Sequence, residues 1–534
     1  MVTIQTYSLK RLLIGICVAV CVMVFSISGS NELYLTKAGS ISIGGFDEGA
    51  AEISAFDPVT QRLFVTNTED NTVDIISISD PKNPTKIASI DCSPFGGGIN
   101  SVAVSNKLVA IAVEADVKQD SGSIVFFNTD GEYLATAQAG ALPDMVTFTH
   151  DGKRVLAANE GSPDDSYTND PEGSITIVDL SGGLSKMRTR QVGFRRFNRY
   201  KKNLIRSGVR IYGPGATVAQ DLEPEYITVG PYGLFAYVTL QENNAIAIVN
   251  ILRANCVWIF PLGLKDHSHP NNGFDASNKD KAIAIKNWPV SGMYLPDAIA
   301  SYKYYGLPLL VTANEGDSRD YDGYSEEERV KDIVLDPAVF PDASELMEKK
   351  NLGRLKISTA LSQINEHGEF KRLFSYGGRS FSIFTPWGQL IYDSGDDFEK
   401  ITASIYPDNF NSTNNENGSF DNRSDDKGPE PEALTIGKIS KKTFAFIGME
   451  RIGGIMVYDI TNPYRVEFIT YVNSRNFDAD IETPEAGDLG VEGLVFVDAF
   501  KSPTKKPLLI ASNEVSGTVT IFEIHIREYP EVSE

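Results

Sequence analysis

Short runs in which apolar and polar residues alternate, separated by Gly, Pro, Asn and Asp, fill most of the chain. A period of two sets one face of a strand against a core, so the pattern predicts β-structure nearly throughout. One unit begins with an acid in EISAFD at Glu52, continues through a second apolar run, RLFVTN, and ends in a turn that holds Glu69. The same order recurs from Asn100 (NSVAVS), Asp144 (DMVTFT), Glu225 (EYITVG), Asp297 (DAIASY), Glu432 (EALTIG) and Glu492 (EGLVFV). Their turns carry Glu114, Glu160, Glu242, Glu315, Glu450 and Glu514. The two best-matched copies share a Glu-Pro-Glu opening, LEPEYITVG and PEPEALTIG.

A third strand is expected in each copy, at 72–76, 123–127, 174–178, 245–249, 455–458 and 518–521, and in the fifth copy at 380–385 beyond an insertion. A fourth follows in most, as at 466–471. Four strands per unit, none able to bury both faces alone, predict an all-β fold, a seven-bladed β-propeller, over a sandwich or two smaller β domains, because the unit is shared from end to end. The last copy lacks a fourth strand. LYLTKAGSISIG at 33–44 is expected to supply it and so remove an open sheet edge. Residues 31–534 are read as one propeller domain.

Long insertions interrupt the units at 184–222, 261–293, 316–372 and 395–428, and YSEEERV at 324–330 is expected to start a short helix. Insertions this long in a compact β fold are functional or disordered. The first holds ten Lys or Arg from Lys186 to Arg210 and no acid. It either balances acidic blades or meets an anionic partner.

The formal charge of −22 over 534 residues excludes a nucleic-acid binder, which needs clustered basic side chains, and suits extracellular solvation or cation binding. Lys10-Arg11, an apolar run from Leu12 to Ile27 and the small Ser28-Gly29-Ser30 mark residues 1–30 as a signal peptide. The run is shorter than a membrane span and no apolar tail follows Phe522, so the mature chain is expected to be secreted, with no membrane span and no lipid anchor. Sequons at Asn411, Asn417 and Asn422 point to an exposed, glycosylated extracellular loop. Cys92 and Cys256 fall on outer strands of different blades, too far apart for a disulfide.

In an antiparallel unit the start of the first strand and the end of the second share one end of the sheet. The opening acids and the turn glutamates are therefore neighbours, and the innermost strands would bring them around the mouth of one channel. So many carboxylates raise one another's pKa unless cations neutralise them, and hard oxygen donors without Cys select Ca²⁺, or Mg²⁺. The expected ligands are Glu52, Asp144, Glu225, Asp297, Glu432 and Glu492 of the inner ring, with Glu160, Glu315 and Glu450 from the turns. The acidic stretches at 317–323 and 275–280 could add more. No GxSxG, P-loop or HExxH is present; His267 and His269 are exposed loop residues or metal ligands, and Ser380 is a strand residue.

Six long segments, VRIYGPGATVAQDLEPEYITVG, FPLGLKDHS, NWPVSGMYLPDAIASY, TANEGDSRDYDGYSEEERVKD, SYGGRSFSIF and FDNRSDDKGPEPEAL, resemble the choice-of-anchor I family over nearly the whole mature chain. That family includes surface glycoproteins of skeleton-forming echinoderm cells and bacterial proteins labelled alkaline phosphatase-like. The resemblance implies an extracellular propeller, calcium biomineralisation or a cell-surface role, and mineral, matrix or anionic ligands as partners. Two functions follow: a calcium-binding secreted glycoprotein, or a Ca²⁺-dependent phosphoric-ester hydrolase using metal-activated water. In the second, Arg319, Arg379, Lys427 and Arg451 would hold phosphate.

Overall fold

The computed structural model describes residues 32–360 and 363–527, so the expected signal segment falls outside it. Among these residues seven sheets have four strands each. Six of them run in sequence order, and their first strands are Ala50–Asp57, Gly98–Ser105, Pro143–Phe148, Pro224–Val229, Ile299–Tyr304 and Pro431–Ile439. The seventh begins with Val491–Val497 and ends with Glu32–Ser42 beside Thr518–Arg527. The first strand of each sheet packs on the next, and Val491–Val497 packs on Ala50–Asp57, which closes the ring. The fold is a β-propeller, and the N-terminal strand occupies the outer place expected for it.

Cohesion comes from apolar side chains between successive sheets. Phe64, Ile75, Ile111 and Val125 fill one seam, and Ala112, Ile124, Phe126 and Val155 the next. Val311, Phe381, Ile447 and Tyr458 fill another, while Leu63, Ile76, Ile510 and Ile521 lie where the last sheet meets the first. The middle strands are therefore apolar on both faces and read as continuous runs. Cys92 and Cys256 are buried and unpaired.

Among the described residues the insertions are packed into the fold. Those at 261–293 and 316–372 share a satellite core of Phe274, Trp288, Val330, Phe340, Leu352 and Ile357. Strands Leu264–Asp266 and Ser291–Met293 join Phe374–Ser375 in a small sheet. The helix expected at 324–330 is absent: Tyr324–Ser325 and Glu327–Arg329 are short strands, paired to Asp320–Tyr321 and Lys356–Ser358, and a 3-10 turn follows at Val330–Asp332. Tertiary contact overrides local propensity here. The extended backbone turns Glu326 inward, where Tyr212 Oη donates to it at 2.6 Å and the buried Arg210 pairs with it.

The sequon loop expected to be exposed is folded into the molecule. After the helix Asp397–Ile405 the chain turns back, and Asn411 is fully buried with its amide donating to Ser424 Oγ at 2.9 Å. Asn417 is half-buried and donates to the Ala479 carbonyl at 2.9 Å; Asn422 is exposed. This polar segment tolerates burial because most of its groups are hydrogen-bonded. Asp421, beside it, is buried with only Oδ1 satisfied, by Ser424. Burial, reinforced by Asp275, pushes its pKa up to about 8.

Leu33 is 1% exposed in the closing strand, and Leu33→Ala should cost roughly 2–5 kcal/mol in urea unfolding. Mass spectrometry of protein from a secretory host should find a glycan at Asn422 and none at Asn411. Because Asp421 is neutral in the fold and ionises near the ordinary carboxylate pKa when unfolded, its contribution is present at low pH and lost as pH rises through about 8. Thermal melts of Asp421→Asn should therefore fall less between pH 6 and 9 than those of the parent chain.

Candidate metal centre

Six of the seven first strands carry an irregularity at the ring residue itself. Register breaks between Ala50 and Ser54, Ile99 and Ser101, Pro143 and Met145, Pro224 and Ile227, Pro431 and Leu434, and Val491 and Gly493. The residues inside these breaks include Glu52, Asn100, Asp144, Glu225, Glu432 and Glu492. A bulge frees one residue from the ladder and re-aims its side chain. Asp297 does the same from just before its strand. All seven are half-buried and line one cavity of about 720 Å³.

From the turns, Glu114, Glu315, Glu450 and Glu514 also reach this cavity, joined by Asp317 and Gln241. Two glycines let the Glu315 turn close: Gly316 (φ 97°) and Gly377 (φ 71°) stack backbone to backbone, and a Cβ on Gly377 would stand 2.2 Å from the Glu315 carbonyl oxygen. Glu160 joins Asp144 and Glu225 in a group whose carboxylate oxygens lie within 4.8 Å of one another. Glu242 is buried nearby. Glu69 alone turns away into solvent, and Thr68 substitutes by donating to Glu52 at 3.1 Å.

Burial and mutual repulsion hold these groups toward the neutral form. Burial, then Glu514, pushes Glu52 up to about 8. Burial, then a neighbouring acid, raises Asp144 and Glu160 to about 7. For Glu225, Asp297, Glu432 and Glu492, burial followed by adjacent carboxylates drives the pKa well above the usual range. The Oε2 atoms of Glu225 and Glu432 are buried and have no hydrogen-bond partner among the described residues. The Glu432 and Glu450 carboxyls lie within hydrogen-bonding reach of each other.

The doubled Glu-Pro-Glu divides its two acids between two tasks. The second glutamate, Glu225 or Glu432, faces the cavity. The first is buried against cations supplied by the insertions and, at Glu430, also by Arg451 of a blade turn. Glu223 takes Arg319 at 2.8 Å, and Glu430 takes Arg423 at 2.6 Å, Arg451 at 3.0 Å and Lys427 at 3.4 Å. Burial alone would raise Glu430, yet Lys427, Arg423 and Arg451 together outweigh it and hold the group at about 2. A proline between the two acids fixes φ and carries no N–H, so the strand begins at Pro224 or Pro431 with the flanking side chains parted. Sequence reasoning missed Glu223, Glu430 and Arg423; the repeated first glutamate was the available signal.

The four cations assigned to phosphate are placed differently. Arg319 is buried between Asp221, at 3.2 Å, and Glu223, away from the cavity. Arg379 is buried on Glu399 at 2.6 Å and on the carbonyls of Asp275, Ser424 and Asp426. Lys427 and Arg451 do line the cavity but are taken up by Glu315, at 2.6 Å, and Glu450, at 2.8 Å, as well as by Glu430. Of the two acidic stretches, Asp317 reaches the cavity, whereas Asp275 is buried elsewhere, accepting the backbone N–H groups of Ser277 and Ala284. His267 is buried against Phe274 with Nδ1 2.7 Å from the Asn272 carbonyl, and burial, then Lys265, lowers its pKa to about 3. His269 is exposed, and Ser380 is a strand residue that donates to Asp393 at 2.7 Å.

The choice-of-anchor I domain matches residues 52–463. Gigasin-3a of Magallana gigas is 31% identical over 194 residues, 34% of this chain and 66% of its own length. The mesenchyme-specific cell surface glycoprotein of Strongylocentrotus purpuratus is 28% identical over 314 residues, 51% of this chain and 40% of its own. The chain thus spans less than two thirds of either relative. Among solved structures, the Cps50 (Swd1) β-propeller domain of Myceliophteria thermophila aligns with a TM-score of 0.43 and 7% identity, over 92% of this chain and 99% of that one. The domain match runs from the first ring glutamate to the third strand of the sixth sheet, and this chain belongs to the choice-of-anchor I family.

Proposed function

We propose that this chain is an extracellular propeller that binds Ca²⁺ at the mouth of its channel, as a component of a matrix, mineral or cell surface. The observation that carries the reading is the buried Glu225 Oε2, which has no hydrogen-bond partner among the described residues and stands inside a ring of acids. A buried polar atom without a partner costs free energy, and a cation recovers it.

Two acidic groups have the right spacing, and their surroundings separate them. Glu315, Glu430 and Glu450 are already neutralised by Lys427, Arg423 and Arg451. Asp144, Glu160 and Glu225 form no ion pair among the described residues. Charge demand is therefore greatest at Asp144, Glu160 and Glu225, while Glu432 lines the same cavity beside Glu450. An all-oxygen set spread over several flexible carboxylates fits the six to eight ligands of Ca²⁺ better than the strict octahedron of Mg²⁺. The apolar run at 12–27 after Lys10-Arg11 and the name of the sea-urchin relative, a cell surface glycoprotein, support an extracellular setting.

Binding is favoured over phosphoric-ester hydrolysis because Lys427 and Arg451 on the cavity wall are committed to glutamates, and the third cation there, Lys118, lies 3.7 Å from Glu114.

Calorimetry of the mature chain should show Ca²⁺ uptake, weakened at least tenfold, about 1.4 kcal/mol, by Glu225→Gln or Asp144→Asn. Absence of uptake by the parent chain would sink the reading. Turnover of a phosphate monoester that needs Ca²⁺ and disappears in Glu432→Gln would replace it with the hydrolase.

A further inference from the structure

The basic insertion lies outside the cation centre and has its own logic. From Leu180 to Gln220 the sequence contains no acid. Its first part, Arg188–Gly193, is the outer strand of the third sheet; a 3-10 helix at Arg195–Tyr200 and an α-helix at Lys201–Ser207 follow. Phe194, Phe197 and Leu204 anchor this segment in the core between the third and fourth sheets. Arg199, Lys202 and Arg206 follow at spacings of three and four, neighbouring positions on a helical surface, and all three are exposed.

Charge balancing within the protein does not account for the segment. Arg210 is spent on Glu326, and Arg195 pairs with Glu172 at 2.6 Å. Lys201 donates to the Ala216 carbonyl, and Arg190 to that of Leu252. Lys186, Arg188, Arg196, Arg199, Lys202 and Arg206 are exposed and meet no acid within ion-pair distance among the described residues. Six exposed, unneutralised cations between Lys186 and Arg206, in a chain with net charge −22, concentrate positive potential on this segment.

We infer that this surface docks a linear sulfated polysaccharide. Arginine supplies four of the six free cations, and its planar fork bonds paired anionic oxygens more specifically than an ammonium group does. A membrane surface fits less well, since a helix that lies in a bilayer needs a broad outward apolar face, and here Phe197 and Leu204 turn inward and only Tyr200 and Ile205 face out. The site is independent of the calcium centre, so either can fail without the other.

The test is heparin-affinity chromatography of the calcium-loaded mature chain at physiological ionic strength. The triple variant Arg199→Glu, Lys202→Glu, Arg206→Glu is compared with a control carrying the same charge change on exposed lysines elsewhere, Lys107→Glu, Lys438→Glu, Lys441→Glu. The parent and the control should be retained and elute together in a salt gradient, because screening weakens the contact, and the patch variant should flow through. Should that variant unfold, the neutral pair Arg199→Gln, Lys202→Gln should show partial loss of retention. Flow-through of the parent, or elution of the patch variant with the control, overturns the proposal. Sedimentation of the parent with phosphatidylserine vesicles, lost in the patch variant and without heparin retention, reassigns the surface to lipid.

Discussion

Electrostatic repulsion at the channel mouth is the constraint around which the rest of the molecule is arranged. Ring and turn acids converge on one cavity whose wall, among the described residues, holds Lys118, Lys427 and Arg451 as its cations. Two like charges 4 Å apart near a protein surface repel by about 4 kcal/mol at an effective dielectric constant near 20, so the ring cannot be fully ionised without counter-charge. A propeller is suited to hold such a group. Every inner strand is fastened on both sides by its neighbours and behind by a second strand, and the apolar seams resist the splaying that repulsion would cause.

The bulges turn that rigidity into a site. A regular ladder would send alternate residues to the two faces of each blade, into the seams and away from the axis. The break at six of the seven first strands takes the ring residue out of the ladder and frees it to face the opening, at the cost of local pairing. The insertions, together with Arg451 of a blade turn, answer the remaining charge. Lys427, Arg423 and Arg451 converge on Glu430, and Arg319 meets Glu223, so the outer acid of each Glu-Pro-Glu is neutralised while the inner one keeps an unsatisfied oxygen. Their length is explained by this work and by the satellite core they build, rather than by disorder.

Much of this was legible along the chain because it is local or periodic. Strand positions followed from alternation, the ring from an acid repeated before each first strand, and the closing N-terminal strand from a unit that lacked its fourth. Positions that depend on contacts between distant segments were not legible. Glu326 belongs to a stretch with helical composition, yet its strand conformation is imposed by pairing with Lys356–Ser358 and by Arg210, 116 residues earlier in sequence. Asn411 satisfies a glycosylation motif, yet hydrogen bonds from a folded-back segment bury it. Arg319 and Arg379 lie beside acidic or glycine-rich motifs, and only the packing of the insertions decides that they clamp buried carboxylates instead of facing the cavity.

The sequence by itself determined the all-β class, the repeated unit, the identity of the ring acids and the uneven distribution of charge, because each is written in residue type and spacing. Tertiary structure decided which acids are neutralised, which are left with a bare oxygen, and which cations face solvent at 186–206. Those outcomes depend on the distance between charges, whose effect falls off steeply beyond a few ångströms and which is set by segments 98 and 112 residues apart in sequence.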